Sequence, residues 1–123
     1  MRYLTDRKRA QGLGASGQGT HHHWQMMVSS ILLCVLVPLF VFTFGIGFGG
    51  TYEEVVAYFS RPFPAILTAL TLVVGIVHVM NEAQEAIEDY MSGIARKLTY
   101  IAVGAFSYAL IAAGLFALVK LAL

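Results

Sequence analysis

No charged residue occurs anywhere in positions 26–48, and an unbroken apolar run of roughly 20 residues is what an α-helix needs to cross the hydrocarbon core of a bilayer. Such a run must be buried either in a protein core or in lipid. Of the 123 residues, 58% are hydrophobic and 12% charged, whereas a soluble domain carries about a quarter charged residues. So small a body has too much surface for so few charges to cover, which argues against a water-soluble globule and equally against a disordered chain. The solvent for most of this chain is lipid. Lys+Arg 8 against Asp+Glu 7 leaves a net charge of +1, so no basic field exists that would draw in nucleic acid. The single cysteine, Cys34, lies inside the apolar run. It offers neither a disulfide framework nor a thiolate metal cluster, and reads as a small buried hydrophobe.

Residues 1–25 read as a mobile polar tail, with Arg2, Arg7, Lys8 and Arg9 and a Gly-rich stretch at 12–19. The tail reaches its apolar run too late for a secretory signal, and Asp6 with few serines does not suit a transit peptide, so the mature protein is expected to keep it. Residues 26–123 are expected to form the membrane domain, with spans at about 26–48, 64–91 and 98–122. Pro38 falls inside the first span, where a neighbouring helix or a Ser/Thr side chain can take up the freed carbonyl, so a bend is expected rather than an end. Gly45, Gly47, Gly49 and Gly50 mark where that span stops. Thr51 and Glu54 then have capping-box spacing, followed by Val55, Val56 and Phe59 at helical spacing. This predicts a short helix on the membrane surface, closed by Arg61, Pro62 and Pro64.

The uncharged stretch 65–80 is by itself short of a crossing. The helical pattern continues through 81–90 without Gly or Pro, which predicts one long second span with polar groups in its last half and Gly93 as its stop. The third span carries one charge, Lys120, and a stripe of Ala105, Ala109, Ala113 and Ala117 suited to close helix packing. The predicted fold class is therefore an all-α membrane protein, with three transmembrane helices and a short interfacial helix between the first and second. Three spans place the tail, Arg96 and Lys97 on one side, and Arg61 and Lys120 on the other. By the positive-inside rule the N-terminus is then cytoplasmic and the C-terminus points outward, as in a multi-pass membrane protein.

Chemistry concentrates on the second span. Thr68, Thr71, Gly75, His78, Glu82, Glu85 and Asp89 are separated by alternating steps of three and four, which puts them on one helix face. Ionisable groups at membrane depth turn inward to a partner, a cofactor or a water-filled cavity. His78 can be a structural imidazole bonded to a helix carbonyl. It can equally be an iron ligand, with Gly75 one turn earlier leaving room for a porphyrin edge and the second axial ligand coming from another chain. Tyr90 stands at interface depth either as an anchor or as a phenolic donor to a carbonyl oxygen of an amphipathic ligand such as a quinone, with Asp89 fixing its orientation. His21, His22 and His23 invite a metal reading, but consecutive side chains diverge and no cysteine or carboxylate cluster accompanies them. Near a membrane surface they can instead donate to carboxylates such as haem propionates. Trp24 reads as an interfacial belt residue. Three functional classes fit these features: a redox anchor subunit, a proton or ion pathway through His78, Glu82, Glu85 and Asp89, and a purely structural small membrane subunit.

The sequence Gly-Thr-His-His-His-Trp-Gln at 19–25, Val-Pro-Leu at 37–39, and His78 followed after ten residues by Asp89-Tyr90 resemble the hydrophobic membrane anchor subunits of bacterial succinate dehydrogenase, respiratory complex II. The resemblance covers nearly the whole chain. It implies that His78 is an axial ligand of a b-type haem shared with the companion anchor subunit of the same complex, and that Tyr90 with Asp89 lines a ubiquinone site near the iron–sulfur subunit. It further implies attachment of the iron–sulfur and flavoprotein subunits to the membrane, the chain itself being a non-flavin subunit rather than an enzyme on its own. The sequence departs from the family in one place. Many relatives carry a basic residue just before the first span, where Met26 and Met27 stand here, so its contacts with propionates or quinone fall to another chain or to His21, His22 or His23.

Overall fold

Three long helices dominate the computed structural model, which describes residues 3–12, 14 and 17–123; Arg2 and part of the Gly-rich stretch lie outside the described residues. In chain order the elements are α1 (Asp6–Gln11), α2 (Gly19–Gly47), α3 (Tyr52–Phe59), α4 (Pro62–Tyr90) and α5 (Gly93–Ala122), with no strand among the described residues. Helices α2, α4 and α5 are each long and apolar enough to cross a membrane. At 1.5 Å per residue their 29, 29 and 30 residues measure about 45 Å, against a hydrocarbon core of about 30 Å.

That excess length explains where the helix ends differ from the apolar runs. The helix containing the first run starts at Gly19, so His21, His22 and His23 belong to its first turns rather than to an unstructured tail. Nothing in 20–25 breaks a helix, and backbone hydrogen bonding continues past the lipid boundary. At the third run, Arg96 and Lys97 likewise sit in the opening turns of α5. Gly93, with φ +66, makes the sharp connection at the start of α5 rather than directly closing α4, whose cap is Met91. The tail holds one short helix of its own, α1, capped by Thr5 accepting from the Lys8 amide at 3.2 Å.

Helix α2 runs through Pro38 without ending. Its inward face is Met26, Ser29, Leu33, Leu36, Phe40 and Thr43, in steps of three and four. Helix α4 lies in the middle, packed against α2 on one side and α5 on the other, while α2 and α5 do not pack together. The bundle is thus an open layer whose only buried hydrophobic residues, among those described, are Phe59, Leu67 and Met80. So thin a core leaves the broad apolar faces to lipid and partner helices. Cys34 lies on such a face and is exposed rather than buried within the chain, because it falls one position beyond the inward-facing Leu33. The alanine stripe belongs to those faces as well: Ala105, Ala109, Ala113 and Ala117 are exposed, and α5 meets its neighbours through Gly104, Ser107 and Gly114. Steps of four residues drift by about 40° each around a 3.6-residue helix, so a four-residue stripe winds away from a straight contact.

Short α3 is fixed at both ends. The capping box forms, with Glu54 Oε2 accepting from the Thr51 amide at 2.9 Å and Thr51 Oγ1 accepting from the Glu54 amide at 3.3 Å. At the other end, Tyr58 donates to the Thr43 carbonyl at 2.7 Å and the Phe59 ring packs on Phe44 at a centroid distance of 5.6 Å. Gly47 permits this approach, because a Cβ there would lie 2.5 Å from Tyr58 Cδ1 and 2.9 Å from Phe59 Cε2. Gly47→Ala is therefore expected to destabilise the corner by about 1–3 kcal/mol, the usual cost of overpacking. Gly45→Ala is the control, since a Cβ at Gly45 meets nothing within 4 Å and alanine favours a helix. Thermal dissociation of the purified membrane complex should begin at lower temperature for the first variant and be unchanged or later for the second.

Candidate functional site

The polar stripe of α4 faces α2 and meets it in two places one heptad apart. Because the helices run antiparallel, residues seven apart on one oppose residues seven apart on the other. His22 Nε2 lies 2.6 Å from Glu85 Oε1, and His78 Nδ1 lies 2.7 Å from Ser29 Oγ. Both pairs bridge two different helices, so each records the register of α2 on α4. Between α2 and α4 the packing is close, with Leu33 Cδ2 4.0 Å from where a Cβ of Gly75 would stand.

His78 is the most enclosed ionisable group of the stripe, its side chain 15% exposed, and both ring nitrogens have neighbours. Ser29 Oγ, beside Nδ1, also lies 2.9 Å from the Met26 carbonyl, which can only accept. The serine can therefore give its own proton to Met26 and accept one from Nδ1–H. The other nitrogen, Nε2, has Glu82 Oε1 at 3.3 Å on a side chain that is 64% exposed and free to swing away. This arrangement fits an axial haem ligand, which presents one nitrogen's lone pair to iron while the other nitrogen donates to a fixed acceptor. Among the described residues no three His, Cys, Asp or Glu side chains gather into a metal cluster. A single axial imidazole needs no such cluster.

The three adjacent histidines point different ways. His21 Nε2 accepts from Gln25 Nε2 at 3.1 Å, His22 is bonded to Glu85, and His23 is exposed. His22 and Glu85 line a polar cleft of about 480 Å³ with Gln25, Asn81, Gln84 and Tyr100. On the α5 side, Gln84 Nε2 reaches the Tyr100 carbonyl at 3.4 Å. Toward the opposite end of α4, Thr71 bonds its own helix at the Leu67 carbonyl (2.8 Å), and Thr68 Oγ1 is buried without a partner among the described residues.

Asp89 and Tyr90 are not brought to His78. Tyr90 lies twelve residues further along α4, about 18 Å along the axis. It is 89% exposed, and neither it nor Asp89 makes a side-chain hydrogen bond or ion pair among the described residues. Ser29 is the residue that sequence reading passed over. Its signal was the heptad offset from His22, matched by the offset from His78 to Glu85, which becomes informative only once α2 and α4 are known to be antiparallel neighbours.

An open three-helix layer with polar groups aligned on its central helix and wide unpartnered apolar faces defines a small helical component of a membrane assembly. The family model described as succinate dehydrogenase/fumarate reductase transmembrane subunit matches residues 1–119. A succinate dehydrogenase hydrophobic membrane anchor subunit of Paracoccus denitrificans is 46% identical over 123 residues, covering 100% of this chain and 95% of the relative. No solved structure matches the chain. The chain belongs to the succinate dehydrogenase/fumarate reductase transmembrane subunit family. It is a multi-pass membrane anchor subunit of succinate dehydrogenase, non-catalytic in itself.

Proposed function

We propose that this anchor subunit holds one side of a b-type haem through His78, the other axial ligand coming from the companion anchor subunit, and that Tyr90 with Asp89 beside it lines a ubiquinone site facing the iron–sulfur subunit. The observation that carries the reading is the setting of His78: a mostly enclosed imidazole whose Nδ1 has a fixed oxygen partner and whose Nε2 faces only a displaceable carboxylate. When bound, the haem supplies a one-electron carrier within the membrane. The chain's own part is to position and to tune. Helix α4 carries His78 at membrane depth and Tyr90 at its end, so both are set by one rigid element. His21, His22 and His23, in the first turns of α2, are the proposed donors to haem propionates, with His22 Nε2 already engaged by Glu85. At the end of α4 the Tyr90 phenol donates to a quinone carbonyl and Asp89 orients that terminus. Residues 1–25 stand outside the hydrocarbon, 26–123 form the anchor, and succinate is oxidised on a separate flavoprotein subunit.

A visible absorption spectrum of the purified complex tests the central claim, since a b-type band must be present and must depend on His78. Membrane orientation has its own test. The reading places the chain in a bacterial inner membrane with its N-terminus in the cytoplasm, because Arg2, Arg7, Lys8, Arg9, Arg96 and Lys97 share one side against Arg61 and Lys120 on the other. A reporter fused after Leu123 should be active in its periplasmic form, and activity of only the cytoplasmic form would overturn that orientation.

A further inference from the structure

We propose that Ser29 is a positioning residue for the haem-ligating imidazole: its hydroxyl accepts from His78 Nδ1–H, so that the Nε2 lone pair is the one presented to iron. This rests on the haem reading of His78 and adds to it a residue on a different helix. Ser29 Oγ is 2.7 Å from His78 Nδ1 and 2.9 Å from the Met26 carbonyl, and Ser29 lies on the inward face of α2. A hydroxyl has one proton and two acceptor sites. A carbonyl can only accept, so Met26 gives the hydroxyl proton somewhere to go other than the imidazole. The serine is thereby able to serve as acceptor when Nε2 is ligated.

Without a ligand at Nε2, the nearby Glu82 carboxylate favours a proton on that nitrogen, and the same hydroxyl can turn to donate to Nδ1. Ser29 thus accommodates either tautomer, whereas an aliphatic residue would leave Nδ1–H unpartnered once Nε2 is bound. An acceptor on the distal N–H raises the basicity of a ligating histidine, and removing such partners typically weakens metal binding by about 10–100-fold. Ser30 is the internal control. It bonds the same Met26 carbonyl at 2.8 Å but is exposed and does not touch His78.

The test is redox titration and electron paramagnetic resonance of the haem in the intact membrane complex. For Ser29→Ala the haem should stay low-spin, because His78 remains, with altered g-values and a raised midpoint potential. The raised potential corresponds to a ferric-to-ferrous ratio changed by up to about tenfold, or about 59 mV for a one-electron couple. Ser29→Thr, which keeps the hydroxyl, should restore both, and Ser30→Ala should change neither. If Ser29→Ala does not assemble, Ser29→Cys keeps the size with a weaker acceptor and should give an intermediate shift. Wild-type potential and g-values in the assembled Ser29→Ala or Ser29→Cys complex, alongside a His78→Ala complex that has lost its low-spin signal, would overturn the role of Ser29 alone. An unaltered low-spin signal in His78→Ala would instead overturn the haem reading on which it rests.

Discussion

Replacing His78 with alanine is expected to abolish the low-spin b-type haem spectrum of the complex, leaving haem that is five-coordinate or absent. Low-spin iron in such a site needs two strong axial ligands, and the neighbourhood of His78 offers no substitute. Ser29 Oγ is a weak ligand already bonded to Met26, and Glu82 sits on a largely exposed side chain. The fold should tolerate the change. His78 contributes one hydrogen bond to α2, and Ser29 keeps its Met26 bond, so the loss is that of a single hydrogen bond, about 0.5–1.5 kcal/mol. The second polar contact between these helices, His22 with Glu85, is untouched and still fixes the register. A stable, assembled His78→Ala complex without its low-spin band separates ligation from a merely structural imidazole. A structural imidazole predicts instead an unchanged low-spin band in the assembled complex.

What could be read from the sequence divides along the range of the interactions involved. The first and third crossings were visible because absence of charge over a helix-length window is a local property, and the second because the helical pattern carries on past its short uncharged run through 81–90 without Gly or Pro. The α3 capping box was visible because Thr51 and Glu54 satisfy each other within one turn. Helix ends were less legible: backbone hydrogen bonds propagate beyond the lipid boundary wherever no Gly or Pro intervenes, so α2 begins at Gly19, well before the apolar run at 26–48. The inward face of α2 was not legible at all. Apolar residues surround that helix, so no one-sided pattern distinguishes Ser29 from Ser30, although one lies against His78 and the other faces outward. In water the buried face announces itself by contrast with a polar one, and a membrane removes that contrast. On α4 the contrast survives, because its polar residues are the exception. His78 and Glu85 could therefore be placed on one face, while their partners Ser29 and His22 emerged only from the register of two helices.

Tyr90→Phe is expected to lower succinate-driven quinone reduction by roughly tenfold to a hundredfold while leaving electron delivery upstream intact. Removing one partner of a hydrogen bond in a dry pocket costs about 1–3 kcal/mol, and each 1.36 kcal/mol is tenfold in rate. The substitution is clean because Tyr90 packs on little within its own chain: the residue is 89% exposed and its hydroxyl has no partner among the described residues. Phenylalanine keeps the ring and suits a membrane interface, so a residue acting only as an anchor should show little kinetic effect. Position supports the reactive role. Tyr90 is the last residue of α4, where a quinone tail can remain in lipid while its headgroup meets the electron-donating subunits outside. The informative measurement compares two acceptors in the same preparation, a quinone and a soluble dye that takes electrons before the membrane site. A fall in the quinone rate alone assigns the hydroxyl to quinone handling, whereas two unaltered rates make Tyr90 an anchor and remove it from the site. If both rates fall together, the substitution has disturbed assembly of the complex, and the quinone assignment loses its kinetic support.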